Sequence, residues 1–201
     1  TVRIAGKRVG LLLAGLAGGL VSSTAVALGF SRLARRDPDD RRVLAAAIVV
    51  AASTMFPRTL LLAGAIDGRL LLPLAWPLGL AGLVGFACAA ALAMGAPMTA
   101  DERAGEVRLR NPFELGMALK FGLLLAGVVL LARAVLAWMG DAGLYAVAAI
   151  SGLTDVDAVT LSFSRMAAEQ VAVSVVVLGI VIATASNTLV KAGLATAIGG
   201  G

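Results

Sequence analysis

The sequence predicts an all-α, polytopic membrane bundle of about six transmembrane spans. Three observations lead there. Of 201 residues, 60% are hydrophobic and only 14% charged, and the mean hydropathy is +0.96. A soluble domain is about 45–50% apolar and about 25% charged. The apolar residues also come in runs of roughly 20, the length a helix needs to cross the hydrocarbon core. Finally, the charges collect in short segments between those runs.

Residues 1–8 are a basic approach with Arg3, Lys7 and Arg8. Span one covers 9–30. Its Gly15/Gly19 pair allows close helix approach, and Gly18-Gly19 followed by Ser22, Ser23 and Thr24 suits a break in the helix. Segment 31–42 carries five arginines around Pro38 and reads as a cytoplasmic loop by the positive-inside rule. Span two covers 43–66, with Ser53 and Thr54 inside it and Pro57-Arg58 able to kink it. Span three, 70–95, opens with Pro73, Trp76 and Pro77. Segment 96–114 is the second cytoplasmic loop. Span four covers 115–139, and a turn is expected at Gly140-Asp141. Span five covers 142–164, a tight loop 165–169, and span six 171–198 with Asn187 and Lys191 inside it. Counting from a cytoplasmic 31–42 puts loops 96–114 and 165–169 inside. The basic N-terminus argues against that count.

The composition limits the chemistry. There is no histidine, so the usual metal ligand and the Ser-His-Asp arrangement are absent. The single cysteine, Cys88, lies in an apolar run, so no intrachain disulfide forms. The net charge of +5 is read as basic cytoplasmic loops, with no nucleic-acid partner. No enzyme activity is expected. Both aspartates of the one intramembrane Asp-x-Asp lie on a single segment, whereas an intramembrane aspartyl protease takes one from each of two helices.

An internal duplication runs through the chain, residues 9–66 matching 142–198. Residues 19–32 and 152–165 align without gaps at an offset of 133, with eight of fourteen positions identical, including Gly19/Gly152 and Phe30-Ser31-Arg32/Phe163-Ser164-Arg165. The same offset carries Ser53-Thr54 onto Ser186-Asn187 and Arg58 onto Lys191. Broken helices are therefore expected near both Gly19 and Gly152. If span three crosses fully the copies are parallel; if 70–95 does not cross they are inverted. The second copy is preceded by span four, led by Asn111-Pro112-Phe113, so a further span is expected upstream of residue 1. The chain begins at Thr1 without a signal-peptide pattern and reads as part of a longer one.

The duplication pairs Ser22 with Asp155 and Thr24 with Asp157, hydroxyls in one copy and carboxylates in the other. A carboxylate in hydrocarbon costs about 2.5–3.5 kcal/mol on insertion scales, so Asp155 and Asp157 must be neutralised, paired or turned to an ion. In a continuous helix positions i and i+2 point about 200° apart; a break at Gly152 lets the two converge with freed carbonyls, as discontinuous transporter helices do. Oxygen donors suit hard cations such as Mg²⁺ or Na⁺. The candidate ion site is thus Asp155 and Asp157 with Asn187, Ser53, Ser22 and Thr24, and Lys191 and Arg58 as charge partners. Any metal falls on Asp155 and Asp157, and no other cofactor is expected. The alternative is internal pairing with Lys191, Arg58 or Arg133 that only locks the bundle.

Gly18-Gly-Leu-Val-Ser-Ser-Thr-Ala25, Asn111-Pro112-Phe113, residues 152–160 and Ala185-Ser-Asn-Thr-Leu-Val-Lys191 together resemble the C-terminal membrane domain of unknown function of bacterial MgtC/SapB-type proteins. The resemblance implies a bacterial inner-membrane location, an N-terminal MgtC/SapB-like domain in the full chain, and a broad link to magnesium homeostasis. The expected function is a transport-like domain binding a cation or proton at Asp155 and Asp157. The alternative is a non-transporting scaffold or regulatory module packed against a partner. A homo-oligomer in the bilayer is left open.

Overall fold

In hydrocarbon every backbone N–H and C=O must find a partner within the chain, so long apolar runs become helices. The computed structural model describes residues 2–95, 115–169 and 171–199, and these are helical almost throughout. The elements are α1 (Val2–Arg36), a 3₁₀ turn (Pro38–Asp40), α2 (Arg41–Ser53), α3 (Met55–Ile66), a second 3₁₀ turn (Gly68–Leu70), α4 (Leu71–Met94), α5 (Leu115–Gly152), α6 (Val156–Glu169) and α7 (Val173–Gly199). The expected loop 96–114 and the Asn111-Pro112-Phe113 motif lie outside the described residues. Five helical stretches among the described residues are long and apolar enough to cross a membrane: Arg8–Arg36, Pro38–Ile66, Gly68–Met94, Leu125–Gly152 and Val173–Gly199. This chain is a multi-pass membrane protein.

Two expected loops shrink. Helix α1 continues to Arg36 and a helical turn resumes at Pro38, leaving only Asp37 of segment 31–42 outside helix. Residues 165–169 belong to α6. Pro57 has no N–H to give the Ser53 carbonyl, and the boundary between α2 and α3 falls there, at Thr54.

Both copies break at equivalent points. Ser22 leaves helical geometry (φ −160°, ψ 98°) inside α1. Its counterpart Asp155 lies in the gap between α5 and α6. The offset of 133 also carries Arg36 onto Glu169 and Ile66 onto Gly199, the last residues of α6 and α7. A further break occurs at Gly140, whose φ of 62° is open to glycine and strained for other residues.

The chain forms two compact units. In the first (2–55, 81–95 and 191–199 of the described residues), the two halves of α1 run in opposite directions along α2. A Cβ on Gly15 would stand 2.5 Å from the Ala47 carbonyl oxygen, and one on Gly19 would stand 2.6 Å from Ala51 Cα. Going up α1 from 15 to 19 thus goes up α2 from 47 to 51. After Ser22 the direction reverses, since Arg36 is joined to Arg41 by a single turn and Ser31 and Ala34 line one cavity with Arg41 and Ala45. Leu11, Phe30, Leu44 and Ala47 share the resulting apolar core. Residues 8–36 are a helical hairpin with its tip at Ser22.

The second unit (56–80, 115–169 and 171–190 of the described residues) repeats the arrangement. The chain doubles back at Gly140, because a Cβ on Gly143 would meet Val135, eight residues earlier. It doubles back again at 153–155, because Glu169 at the end of α6 forms an ion pair with Arg133, near that first turn. A straight continuation would carry Glu169 about 40 Å from residue 141 at 1.5 Å per residue. Residues 141–169 are a second helical hairpin. Its arm α6 packs on α7 through Phe163 against Gly179, and Gly152 packs on Ala183. Leu70, Leu74, Leu144, Phe163 and Ile180 form the buried core of this unit.

The tips depend on glycine where backbone meets backbone. A Cβ on Gly152 would lie 2.5 Å from the Ala183 carbonyl oxygen, and one on Gly19 2.7 Å from Ala51 O. Gly19→Val and Gly152→Val should each cost about 1–3 kcal/mol as overpacking, read as a lower unfolding temperature in detergent. Gly29→Ala, with no atom within 4 Å of the new Cβ, should be neutral or stabilise by up to about 1 kcal/mol.

Candidate functional site

The candidate site is built at the tip of the second hairpin. Residues 153–155 leave helix, and α6 starts at Val156 with its first N–H groups unsatisfied. Asp155 supplies a cap: its Oδ1 accepts a hydrogen bond from the Asp157 backbone N–H at 3.0 Å. An aspartate suits that place both as a short acceptor and as a negative charge at a helix N-terminus. On the other side of the break Asn187 Nδ2 donates to the Gly152 carbonyl at 2.8 Å, satisfying one of the acceptors left at the end of α5. The break is therefore held by side chains on both sides.

Asp157 points to a different helix. Its Oδ2 lies 2.8 Å from Arg58 Nη2, with 21% of the Asp157 side chain and 25% of the Arg58 side chain exposed. Both residues belong to the second unit. The structure thus brings together four of the sequence-predicted residues, Asp155, Asp157, Asn187 and Arg58, in one unit. Three buried hydroxyls of the same unit, on Thr59, Ser162 and Ser164, make no hydrogen bond.

The other four sit in the first unit. Ser22 Oγ accepts from the Ala25 N–H at 3.3 Å and caps the returning arm of the first hairpin, the role Asp155 has in the second. Thr24, the counterpart of Asp157, is half-buried. Ser53 is buried, donates to the Val49 carbonyl at 2.8 Å, and fills the space beside Gly85 of α4. Lys191 is 4% exposed, with Nζ 3.4 Å from Met55 Sδ.

Arg133, considered above as a partner for the two aspartates, pairs instead with Glu169. The arrangement around Asp155 and Asp157 does not make a cation cage as it stands. One oxygen of Asp155 is engaged as a cap, one of Asp157 faces a guanidinium, and no group of three or more His, Cys, Asp or Glu side chains able to hold a metal occurs among the described residues. A cation reaching Asp157 must compete with Arg58.

One polar cluster was missed from the sequence. Arg69 grips Asp67 through Nε (3.0 Å to Oδ1) and Nη2 (2.6 Å to Oδ2), and the same Nη2 donates to the Ala167 carbonyl at 2.8 Å. Arg69 thereby ties the turn before α4 to the last turn of α6. The spacing Asp67-Gly-Arg69 signals a capped turn, since Asp67 Oδ1 also accepts from Arg69 N. Nothing in the spacing points to Ala167. The hydrogen bonds from the Arg69 side chain hold the Asp67 carboxyl below the usual carboxylate range.

The profile of a family described as a domain of unknown function (DUF4010) matches residues 1–199. The chain belongs to that family. It is 31% identical over 193 residues to an uncharacterized protein of Aquifex aeolicus (strain VF5), covering 94% of this chain and 82% of that one. No solved structure matches.

Two measurements check the polar contacts. Asp157→Asn and Arg58→Gln should each lower stability, and the double variant should cost less than their sum by about 0.5–3 kcal/mol; strict additivity would mean that the pair is not coupled. A carboxyl with a depressed pKa adds stability above its unfolded pKa and loses it as pH falls through the folded one. The unfolding-temperature gap between wild type and Asp67→Asn should therefore be constant near neutrality and close only below pH about 3.9, the usual aspartate value. A gap that closes at higher pH would contradict the assignment.

Proposed function

We propose that this chain is a transport-like membrane domain that handles a proton or a cation at the tip of the second hairpin, with Asp155 and Asp157 as the acceptors. The observation that carries the reading is the placement of two carboxylates at a helix break, one of them held by a guanidinium from another helix. Intramembrane carboxylates at discontinuous helices are the usual means of ion and proton coupling. Arg58 then acts as a resident counter-charge. It satisfies Asp157 when no ion is present and is displaced when one arrives. Asn187 keeps the break open by holding the Gly152 carbonyl, and Asp155 keeps the N-terminus of α6 capped. Ser22, Thr24 and Ser53 form the uncharged counterpart in the first copy, with Ser22 capping its own break and Lys191 of the second copy in the same unit.

The resemblance to the C-terminal domain of MgtC/SapB-type proteins adds to this reading an inner-membrane setting in bacteria, an N-terminal partner domain in the full protein, and Mg²⁺ as one cation to test. A second reading is favoured by the same ion pair. Arg58–Asp157 and the Asn187 bond can serve only to lock a scaffold or regulatory module.

The two readings part in sealed vesicles reconstituted with the protein and loaded with a pH dye or a Mg²⁺ indicator. Transport predicts an ion or proton flux that Asp157→Asn lowers at least tenfold while the variant still elutes as a folded species. A flux unchanged in Asp157→Asn and Asp155→Asn, or no flux from the wild type for protons, Na⁺ or Mg²⁺, supports the scaffold and overturns transport.

A further inference from the structure

Two helical hairpins sit at equivalent places in a duplicated chain, and this changes how the chain threads the bilayer. A hairpin that returns to its starting end does not cross. We propose that residues 8–36 and 141–169 are re-entrant hairpins that enter the membrane from opposite faces, so that the two copies are inverted. Only four segments then cross: 38–66, 68–94, the α5 arm 115–139, and 173–199.

The argument is a count. Between the first hairpin and the second lie three segments that this proposal has cross: 38–66 and 68–94, and the arm of α5 that precedes the Gly140 break, 115–139. Three is odd, so the second hairpin starts from the opposite face. The inversion comes from the two hairpins, and α4 keeps its full length for crossing, with 27 residues from Gly68 to Met94.

Charge supports the count independently. With 8–36 re-entrant, Arg3, Lys7 and Arg8 share one face with Arg32, Arg35, Arg36, Arg41 and Arg42 and, after two more crossings, with Arg103, Arg108 and Arg110 of segment 96–114. The opposite face keeps only Arg69, Arg133 and Arg165 as basic residues near it, beside Asp67, Asp141 and Glu169. The positive-inside rule is then obeyed along the whole chain. Six straight crossings would place the basic N-terminus and segment 31–42 on opposite sides.

The composition of the two units follows the duplication. The first unit holds the first hairpin, α2 and the 191–199 end of α7. The second holds the second hairpin, the 173–190 part of α7 and the 56–66 end of the α2–α3 segment. Subtracting 133 takes 191–199 to 58–66. Each unit holds one hairpin, the first part of the segment that follows it and the last part of the other copy's, beside a piece of α4 and, in the second unit, the α5 arm. That division accounts for the location of Arg58, which comes from the first copy and pairs with Asp157 of the second, while its counterpart Lys191 from the second copy lies in the first unit.

Single cysteines test the proposal in the full chain carrying Cys88→Ser. Asp37, Gly68, Asp141, Ala172 and Ala197 are exposed positions. Each is replaced by cysteine in turn and labelled with a membrane-impermeant maleimide in sealed vesicles, before and after permeabilisation. The proposal predicts that 37 and 197 label from one side, and that 68, 141 and 172 label from the other. Labelling of 141 and 172 from opposite sides overturns the second hairpin. Labelling of 37 and 197 from opposite sides overturns the inverted count. The outcome is independent of whether the protein transports anything.

Discussion

Breaking a helix inside hydrocarbon frees backbone groups that water cannot reach, and each one left unsatisfied costs several kcal/mol. The arrangement of this protein depends on how that cost is met at two points. At Ser22 and at Asp155 a short side chain caps the returning arm, and at Gly152 the carboxamide of Asn187 takes the freed carbonyl. Gly19 and Gly152 let the broken ends lie directly on the neighbouring backbone. Without those five residues a break at these positions would be too costly to keep. With them, each arm turns back along the helix that follows it.

The duplication made the breaks legible. Gly19 and Gly152 align with polar residues just after them, so a discontinuity at both places follows from the sequence. The turn at Gly140 and the kink at Pro57 were legible for local reasons, a glycine beside a polar residue and a missing N–H. What the discontinuity does was not legible. Apolar periodicity is the same for a helix that continues and for one that doubles back. The difference lies in which residues meet across the chain, Gly15 with Ala47 and Arg133 with Glu169.

The candidate site was half legible for a related reason. Asp155 and Asp157 are conspicuous because charge is expensive in an apolar segment. Their partners are a matter of geometry. Arg58, Lys191 and Arg133 were equal candidates by sequence; Arg58 reaches Asp157, and Arg133 is taken by Glu169. The bond from Arg69 to the Ala167 carbonyl spans 98 residues and leaves no trace in spacing. The asymmetry between copies remains the main chemical feature, with a serine cap in one hairpin and an aspartate cap plus an ion-paired carboxylate in the other.

The central claim is that residues 141–169 fold back within the bilayer. The most direct check is a distance between spin labels at positions 141 and 172 in Cys88→Ser protein, measured by pulsed electron resonance in nanodiscs. A hairpin puts the labels within about two helix diameters, roughly 20 Å. A helix running straight through would separate them by about 45 Å at 1.5 Å per residue. A distribution centred near the longer distance would contradict the account.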